Sequence, residues 1–179
     1  MNRLPYLLLS LLLFSACAAV RPAPLPTADN LRLTDLMGTW HEVARLPLEF
    51  ERHCAAASFQ YAQVAPDHIR VSNLCWYRSL NGPMRRADAE VYLPDLSDPG
   101  RLLIHFGGPA SSTYHVAYVN DAHTLALVGS PDRRHLWMLA REFTPPAEAV
   151  ERLMDEAKAR GFDISRLVFT RELRHDDHL

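Results

Sequence analysis

Short runs of alternating apolar and polar residues follow one another along most of the chain, separated by turn residues such as Asn-Gly-Pro at 81–83 and Ser-Pro-Asp at 130–132. The alternation predicts eight strands, at residues 39–45, 55–64, 68–77, 85–92, 101–106, 113–120, 124–129 and 135–141. Their even spacing and mostly short connections are typical of an antiparallel up-and-down meander. Closing such a meander into a barrel removes both of its edges.

The alternation is imperfect, as in Leu-Ala-Leu-Val at residues 125–128. The pattern alone therefore leaves a barrel and a sandwich open. It also does not say which face of each strand points inward.

The hydrophobic period changes from two to about 3.6 after the last of these strands. Thr144 is a candidate cap, two prolines follow it in the first turn, and Gly161 is a candidate end. One apolar face carries Val150, Leu153, Met154 and Ala157. These residues predict a helix packed against the outside of the sheet, followed by a short final strand at 166–171 and a polar tail at 174–179. The tail holds two histidines and two aspartates, and we interpret it as a solvated end rather than a metal site.

The N-terminus carries an apolar run at residues 4–14, after one arginine. A bilayer span needs about 20 apolar residues, so this run fits a secretory signal better than a membrane helix. It ends in Phe-Ser-Ala-Cys at 14–17, which resembles the lipobox of bacterial lipoproteins. We therefore predict a signal peptide at 1–16, lipidation of Cys17 and a proline-rich tether at 17–30. The alternative is ordinary secretion, with cleavage after a nearby alanine.

Composition restricts the partners. The 179 residues have a formal net charge of −2 and show no basic stripe with interleaved aromatic residues, so nucleic acid is not an expected partner. Without the signal, about 160 residues remain, enough for one domain with one core.

Cys54 and Cys75 remain as a pair if Cys17 carries the anchor. Cys54 directly precedes the hairpin predicted at 55–77, and Cys75 lies near the end of its second strand. Antiparallel pairing brings the two close together, and an oxidising compartment favours a disulfide. The alternatives are two free buried thiols or, with no Cys-x-x-Cys spacing to support it, a redox or metal pair.

Two distant sites predict a contact between the first and last strands of a closed sheet. Gly38 opens the first strand two positions before Trp40, and Arg141 ends the last long strand. A guanidinium lying on an indole face contributes roughly 0.5–2 kcal/mol. We call Gly38, Trp40 and Arg141 the predicted latch.

Several blocks, in order, resemble the lipocalin family, and within it the bacterial outer-membrane lipocalins. They are Gly-Thr-Trp-His-Glu-Val-Ala-Arg at 38–45, Phe-Glu-Arg at 50–52, Gly-Ser-Pro-Asp-Arg at 129–133 and Leu-Trp-Met-Leu-Ala-Arg at 136–141. The resemblance covers residues 36–170 and implies a lipocalin domain at 31–173. It implies an all-β fold: an eight-stranded barrel with one C-terminal helix and a short final strand. With Ala18 after the cysteine, it also implies a protein anchored to the bacterial outer membrane and facing the periplasm.

The candidate ligand residues share two properties: they lie on predicted strands, and most are aromatic or branched. They are Phe59, Tyr61, Trp76, Ile104, Phe106, Tyr114 and Val116, together with Glu42. The alternative for the apolar ones is that they fill a solid core. Glu42 either pairs with an arginine in a structural role or contacts a ligand head group. Glu51 and Arg52 either rim the mouth or are ordinary solvated loop charges.

Three functions follow from these observations. The favoured one is a lipid-anchored carrier of fatty acids or lysophospholipids, with no catalytic residue, cofactor or metal. The second is an enzyme with a substrate-facing Glu42 or Tyr114. The third is an interaction lipoprotein with a filled barrel. The sequence leaves monomer and homodimer open.

Overall fold

A computed structural model of the protein describes residues 23–170. The strands are β1 (Gly38–Arg45), β2 (Cys54–Ala65), β3 (His68–Tyr77), β4 (Met84–Tyr92), β5 (Arg101–His105), β6 (Ser111–Val119), β7 (Leu125–Gly129), β8 (Leu136–Ala140) and β9 (Val168–Phe169). The helices are α1 (Leu33–Leu36) and α2 (Ala147–Ala159), with short 3₁₀ helices at Glu49–Glu51 and Ile164–Arg166. We call Glu49–Glu51 the mouth helix. The predicted signal, Cys17 and the polar tail lie outside the described residues.

The first eight strands close into a ring. Each pairs antiparallel with the next, and β1 pairs with both β2 and β8, so the predicted all-β barrel with one C-terminal helix and a final strand is confirmed. β1 leaves β2 after the His41–Ser58 pair, and β9 then pairs with β1 from Ala44 onward. The final strand therefore occupies the gap where the first two strands diverge.

The connections divide the barrel into two ends. The closed end carries α1 and the connections at 66–67, 93–100 and 120–124. The open end carries the mouth helix and the connections at 78–83, 106–110 and 130–135.

Two apolar clusters hold the fold together. One fills the barrel interior and includes Trp40, Phe59 and Val116. The other lies outside the barrel, where Leu153 and Ala157 of α2 pack with Leu127 and Met138 of the wall. Each fully buried large side chain of this kind contributes roughly 1.5–3 kcal/mol. The helix therefore covers an apolar outer face, and the interior is left to the inward-pointing side chains.

The predicted latch is formed at the closed end. The Arg141 guanidinium lies 3.9 Å from the centre of the Trp40 ring and donates to the carbonyls of Thr39 (2.9 Å) and Asp35 (2.8 Å). Trp40 Nε1 donates to the Leu36 carbonyl at 2.9 Å. Gly38 has φ +89°, and a Cβ there would lie 3.4 Å from Arg141 Nη1. The positive φ therefore favours glycine at this position, whereas a Cβ would only touch the arginine.

The disulfide between Cys54 and Cys75 is present, with the two Cα atoms 5.3 Å apart. It joins β2 to β3 near the open end, as the hairpin predicts.

Three local predictions need correction. Residues 23–28 do not stand free as an extended tether, because Leu25 is buried in the outer cluster. Helix α2 begins at Ala147 after Pro146, so Thr144 is not its cap. Within the described residues the final strand is only Val168–Phe169, because a 3₁₀ helix takes Ile164–Arg166.

Candidate ligand cavity

An apolar cavity lies in the barrel interior below the open end. Its walls come from the mouth helix and from seven of the ring strands, β2 to β8, since alternate side chains of each strand point inward. The lining residues are Phe50, Phe59, Tyr61, Val71, Asn73, Ala87, Ala89, Ile104, Phe106, Tyr114, Val128, Trp137 and Leu139. Asn73 is the one amide among these residues, so the cavity offers little to a fully polar molecule.

The cavity is narrow. It leaves about 60 Å³ for the centres of water molecules, whereas small-molecule pockets commonly span about 300–1,000 Å³. A space large enough for an acyl chain is therefore not open in this conformation. The aromatic rings explain this, because Trp137 packs edge-on against both Phe59 and Tyr114, at centroid distances of 6.3 and 5.2 Å.

The mouth helix covers part of the entrance. Phe50 lies 6.4 Å from Trp137, centroid to centroid, although 60% of its surface is exposed. The adjacent Glu51 is buried and accepts hydrogen bonds from Asn73 Nδ2 (2.7 Å) and Trp137 Nε1 (3.0 Å). Two cavity residues therefore hold the mouth helix in place. Of the two loop charges, Arg52 is solvated but Glu51 is not.

A buried ionic network continues from the mouth helix into the barrel wall. Arg45 Nη1 donates to Glu42 Oε1 at 2.6 Å, and its Nη2 donates to the Glu51 carbonyl at 2.8 Å. Thr170 Oγ1 also donates to Glu42 Oε1, at 3.0 Å. Glu42 Oε2 has no hydrogen-bond partner within residues 23–170. The network lies at the gap between β1 and β2 and ties β9 to the mouth.

Two carboxyl groups share the one guanidinium of Arg45. Burial, reinforced by the charge of Glu51, raises the pKa of Glu42 to about 7, and burial also raises the pKa of Glu51. The unpartnered Oε2 of Glu42 is a natural place for the proton. At neutral pH Glu42 is therefore about half protonated, which lowers the negative charge buried in the network.

Tyr114 brings a hydroxyl group to the cavity wall. Its hydroxyl lies 3.1 Å from His135 Nδ1, and burial raises its pKa. The phenol therefore stays neutral at physiological pH.

The predicted ligand residues fall into three groups. Phe59, Tyr61, Ile104, Phe106 and Tyr114 line the cavity together. Val116 points inward but lies in the interior cluster below it.

Trp76 and Glu42 are corrections. Asn73 points into the cavity, and side chains two positions apart on a strand share a face, so Cys75 points inward as well. Trp76 is adjacent to Cys75 and therefore lies on the outer face of β3, away from the cavity. Glu42 belongs to the ionic network, which is the structural pairing with an arginine that the sequence left as one alternative.

Sequence reasoning missed Phe50, Asn73 and Trp137. A signal for Asn73 exists: once Phe59 points inward, the antiparallel register places Asn73 and then Ala87 directly beside it. Trp137 pairs with Val128 and could be found the same way. Phe50 carries no such signal, because it lies in a connection.

The comparisons with known proteins match this architecture. A family model described as a lipocalin-like domain covers residues 31–172. The chain belongs to the lipocalin family.

Relatives of this lipocalin extend over nearly its full length. It is 29% identical over 168 residues to the outer membrane lipoprotein Blc of Vibrio cholerae, covering 93% of this chain and 97% of that one. It is 26% identical over 175 residues to the outer membrane lipoprotein Blc of Escherichia coli K12, covering 96% and 98%. The solved structure of insecticyanin from the tobacco hornworm Manduca sexta shares the fold, with a TM-score of 0.65 at 22% identity over 83% of this chain and 84% of that one.

Within residues 23–170, no group of three or more His, Cys, Asp or Glu side chains is placed to hold a metal ion. None of the helices in the described part is long and apolar enough to cross a membrane.

Proposed function

We propose that this lipocalin is a lipid-anchored carrier that binds one long-chain amphiphile, such as a fatty acid or a lysophospholipid, in the barrel. The observation that carries the proposal is the apolar cavity under the mouth helix, which is lined by the rings of Phe59, Phe106 and Trp137. Transfer of an acyl chain from water into such a cavity is favourable by about 25 cal/mol per Å². The relatives from Vibrio cholerae and Escherichia coli are outer membrane lipoproteins by name, which supports a location at the bacterial outer membrane.

Binding requires the entrance to open. The cavity is too narrow for an alkyl chain as it stands, and Phe50 of the mouth helix lies beside Trp137. Phe50 is the element to move, since it is largely exposed and its connection has no strand partner. Rotation of Phe50 away from Trp137 joins the cavity to solvent without breaking the ring of strands.

The small cavity also favours a second function. A barrel whose interior stays filled is an interaction lipoprotein that carries no lipid. Lipid extraction from the purified protein, followed by mass spectrometry, separates the two. The carrier proposal expects a stoichiometric amphiphile, and an empty extract supports the filled barrel.

A pair of alanine substitutions sharpens the test. Ala89 lines the cavity, whereas Ala62 is exposed on the outer face of β2. Ala89→Phe should abolish binding of a C16–C18 fatty acid or lysophospholipid in a calorimetric titration, because the new ring occupies the cavity. Ala62→Phe should bind like the parent protein. Unchanged affinity in folded Ala89→Phe contradicts a ligand in this cavity.

The membrane anchor is a separate part of the proposal. Cys17, outside the described residues, is the lipidation site, and lipidation by several acyl chains makes anchoring effectively permanent, at about 0.8 kcal/mol per buried CH₂. Cys17→Ser should leave the membrane fraction or accumulate unprocessed. Normal fractionation and mass of that variant contradict the anchor.

A further inference from the structure

The N-terminal chain runs along the outside of the barrel toward the open end. Ala28 donates its backbone N–H to the Val116 carbonyl at 2.9 Å, and the Leu25 carbonyl lies 2.5 Å from His115 Nδ1. Further up, Arg133 Nη1 donates to the Ala23 carbonyl at 2.8 Å. Arg133 belongs to the connection between β7 and β8, which lies at the open end. Three successive contacts on β6 and this connection therefore fix the direction in which the chain leaves the barrel.

The distance from the open end to the anchor is short. Cys17 precedes Ala23 by six positions, a stretch that reaches at most about 20 Å. A strand of about ten residues, tilted in the barrel, spans roughly 25 Å between the two ends. A bilayer at the open end is therefore within reach of an anchor at Cys17, whereas a bilayer at the closed end lies beyond that reach.

The two ends differ in charge. The connections of the closed end between strands carry Asp67, Asp95, Asp98 and Asp121. The closed end also has Arg32 and Arg141, but Arg32 pairs with Asp35 and Arg141 is taken up by the latch. The connections of the open end carry Arg52, Arg78, Arg133 and Arg134, against Glu49, Asp132 and the buried Glu51. An anionic lipid surface attracts basic residues by about 1 kcal/mol each near the surface and repels acidic ones.

Exposed apolar side chains also stand on the open rim. Met84, at the start of β4, is 58% exposed, and Phe106, after β5, is 56% exposed. Exposure alone does not distinguish the ends, since Leu96 at the closed end is 60% exposed. The two ends are distinguished by the path of the N-terminal chain and by the charge of their connections. Leu96 is instead a matched control, because it is as exposed as Met84 but lies between two aspartates.

We propose that the open end of the barrel, with Met84, Phe106 and the rim arginines, rests on the phospholipid bilayer that holds the anchor. This inference rests on the lipid anchor of the proposed function. The cavity entrance then faces the lipid surface, and an amphiphile passes between membrane and barrel without crossing bulk water. The acidic closed end points away from the membrane.

The test measures which end approaches the lipid. Full-length lipidated protein carrying Met84→Cys or Leu96→Cys is labelled with a fluorophore and reconstituted into vesicles that contain phosphatidylglycerol. The added thiol is the single reactive one, because Cys54 and Cys75 are bonded and Cys17 is acylated in this proposal. Lipids with a nitroxide near the headgroup should quench the Met84→Cys label several-fold more than the Leu96→Cys label. Phe106→Cys against Val64→Cys repeats the comparison.

The outcomes separate the orientation from the anchor. Flotation of the unlabelled protein with the vesicles shows that the anchor holds. Equal quenching at both ends, stronger quenching at Leu96, or no quenching in floating protein overturns the orientation alone. Protein that does not float overturns the anchor, and the orientation with it.

Discussion

The closed and open ends of the barrel are built from different interactions. At the closed end, Arg141 stacks on Trp40 and donates to two backbone carbonyls, so its polar groups are paired. At the open end, a three-residue helix is held by a buried carboxylate, Glu51, next to a largely exposed Phe50. The closed end is held by the stacked and hydrogen-bonded Arg141. The open end combines the disulfide, the buried ionic network and the exposed ring of Phe50. The comparison teaches that one fully paired contact is enough at the closed end, whereas the open end, where the proposed ligand enters, needs several different interactions around an exposed ring.

Removal of the disulfide has the largest expected effect. The double variant Cys54→Ser/Cys75→Ser removes a bond at the open end that bridges two residues 21 positions apart. Its loss should lower the free energy of unfolding by about 3 kcal/mol. Ligand affinity should fall as well, because β2 and β3 carry cavity residues. Denaturant unfolding and calorimetric titration measure the two quantities. A variant as stable as the parent would show that the bond does not constrain the chain.

Loss of the latch should affect stability alone. Arg141→Ala removes the stacking and leaves the carbonyls of Thr39 and Asp35 unpaired, so we expect a loss of about 1–3 kcal/mol. Affinity for an amphiphile should change little, since Arg141 lies at the closed end. Arg101→Ala is the control: Arg101 is half exposed and pairs with Asp98, and its loss should cost about 0–1 kcal/mol. If Arg141→Ala instead lost much of its affinity for the amphiphile at unchanged stability, the ligand would not enter at the open end as proposed.

The ionic network should make stability depend on pH in a defined direction. The pKa of Glu42 rises from 4.5 in the unfolded chain to about 7 in the fold. The native state therefore holds the proton more tightly between these values, and stability falls as pH rises from 4.5 to 7. Glu42→Gln retains an acceptor for Arg45 and Thr170 and cannot ionise.

Thermal unfolding from pH 4.5 to 8 measures this dependence. The parent should lose about 1–3 kcal/mol across the window, and Glu42→Gln should lose less. Parallel pH curves for the two proteins would show that Glu42 is charged throughout.

The sequence predicts the order of the strands and the closure of the barrel because turn residues and alternating runs are local features. The latch and the disulfide could also be foreseen, since each follows from where a strand begins or ends. Trp76 and Trp137 mark the limit of this reasoning. Both are strand tryptophans, and only the register between strands decides that Trp137 faces the cavity and Trp76 the outside.

The ionic network could not be foreseen from local pattern. Glu42, Glu51 and Thr170 come from a strand, a connection and the residue after the final strand, and they meet because β1 parts from β2. The docking of Leu25 has the same origin, because an extended proline-rich segment carries no signal for the surface that buries it.

In the proposed function, an amphiphile binds inside the barrel beside Trp137. The most direct measurement is a titration with a brominated C16–C18 fatty acid, whose bromine quenches tryptophan fluorescence at contact. We expect saturable quenching at roughly micromolar concentration. Most of it should be lost in Trp137→Phe and retained in Trp76→Phe. No quenching, or quenching lost in Trp76→Phe and retained in Trp137→Phe, would contradict the claim.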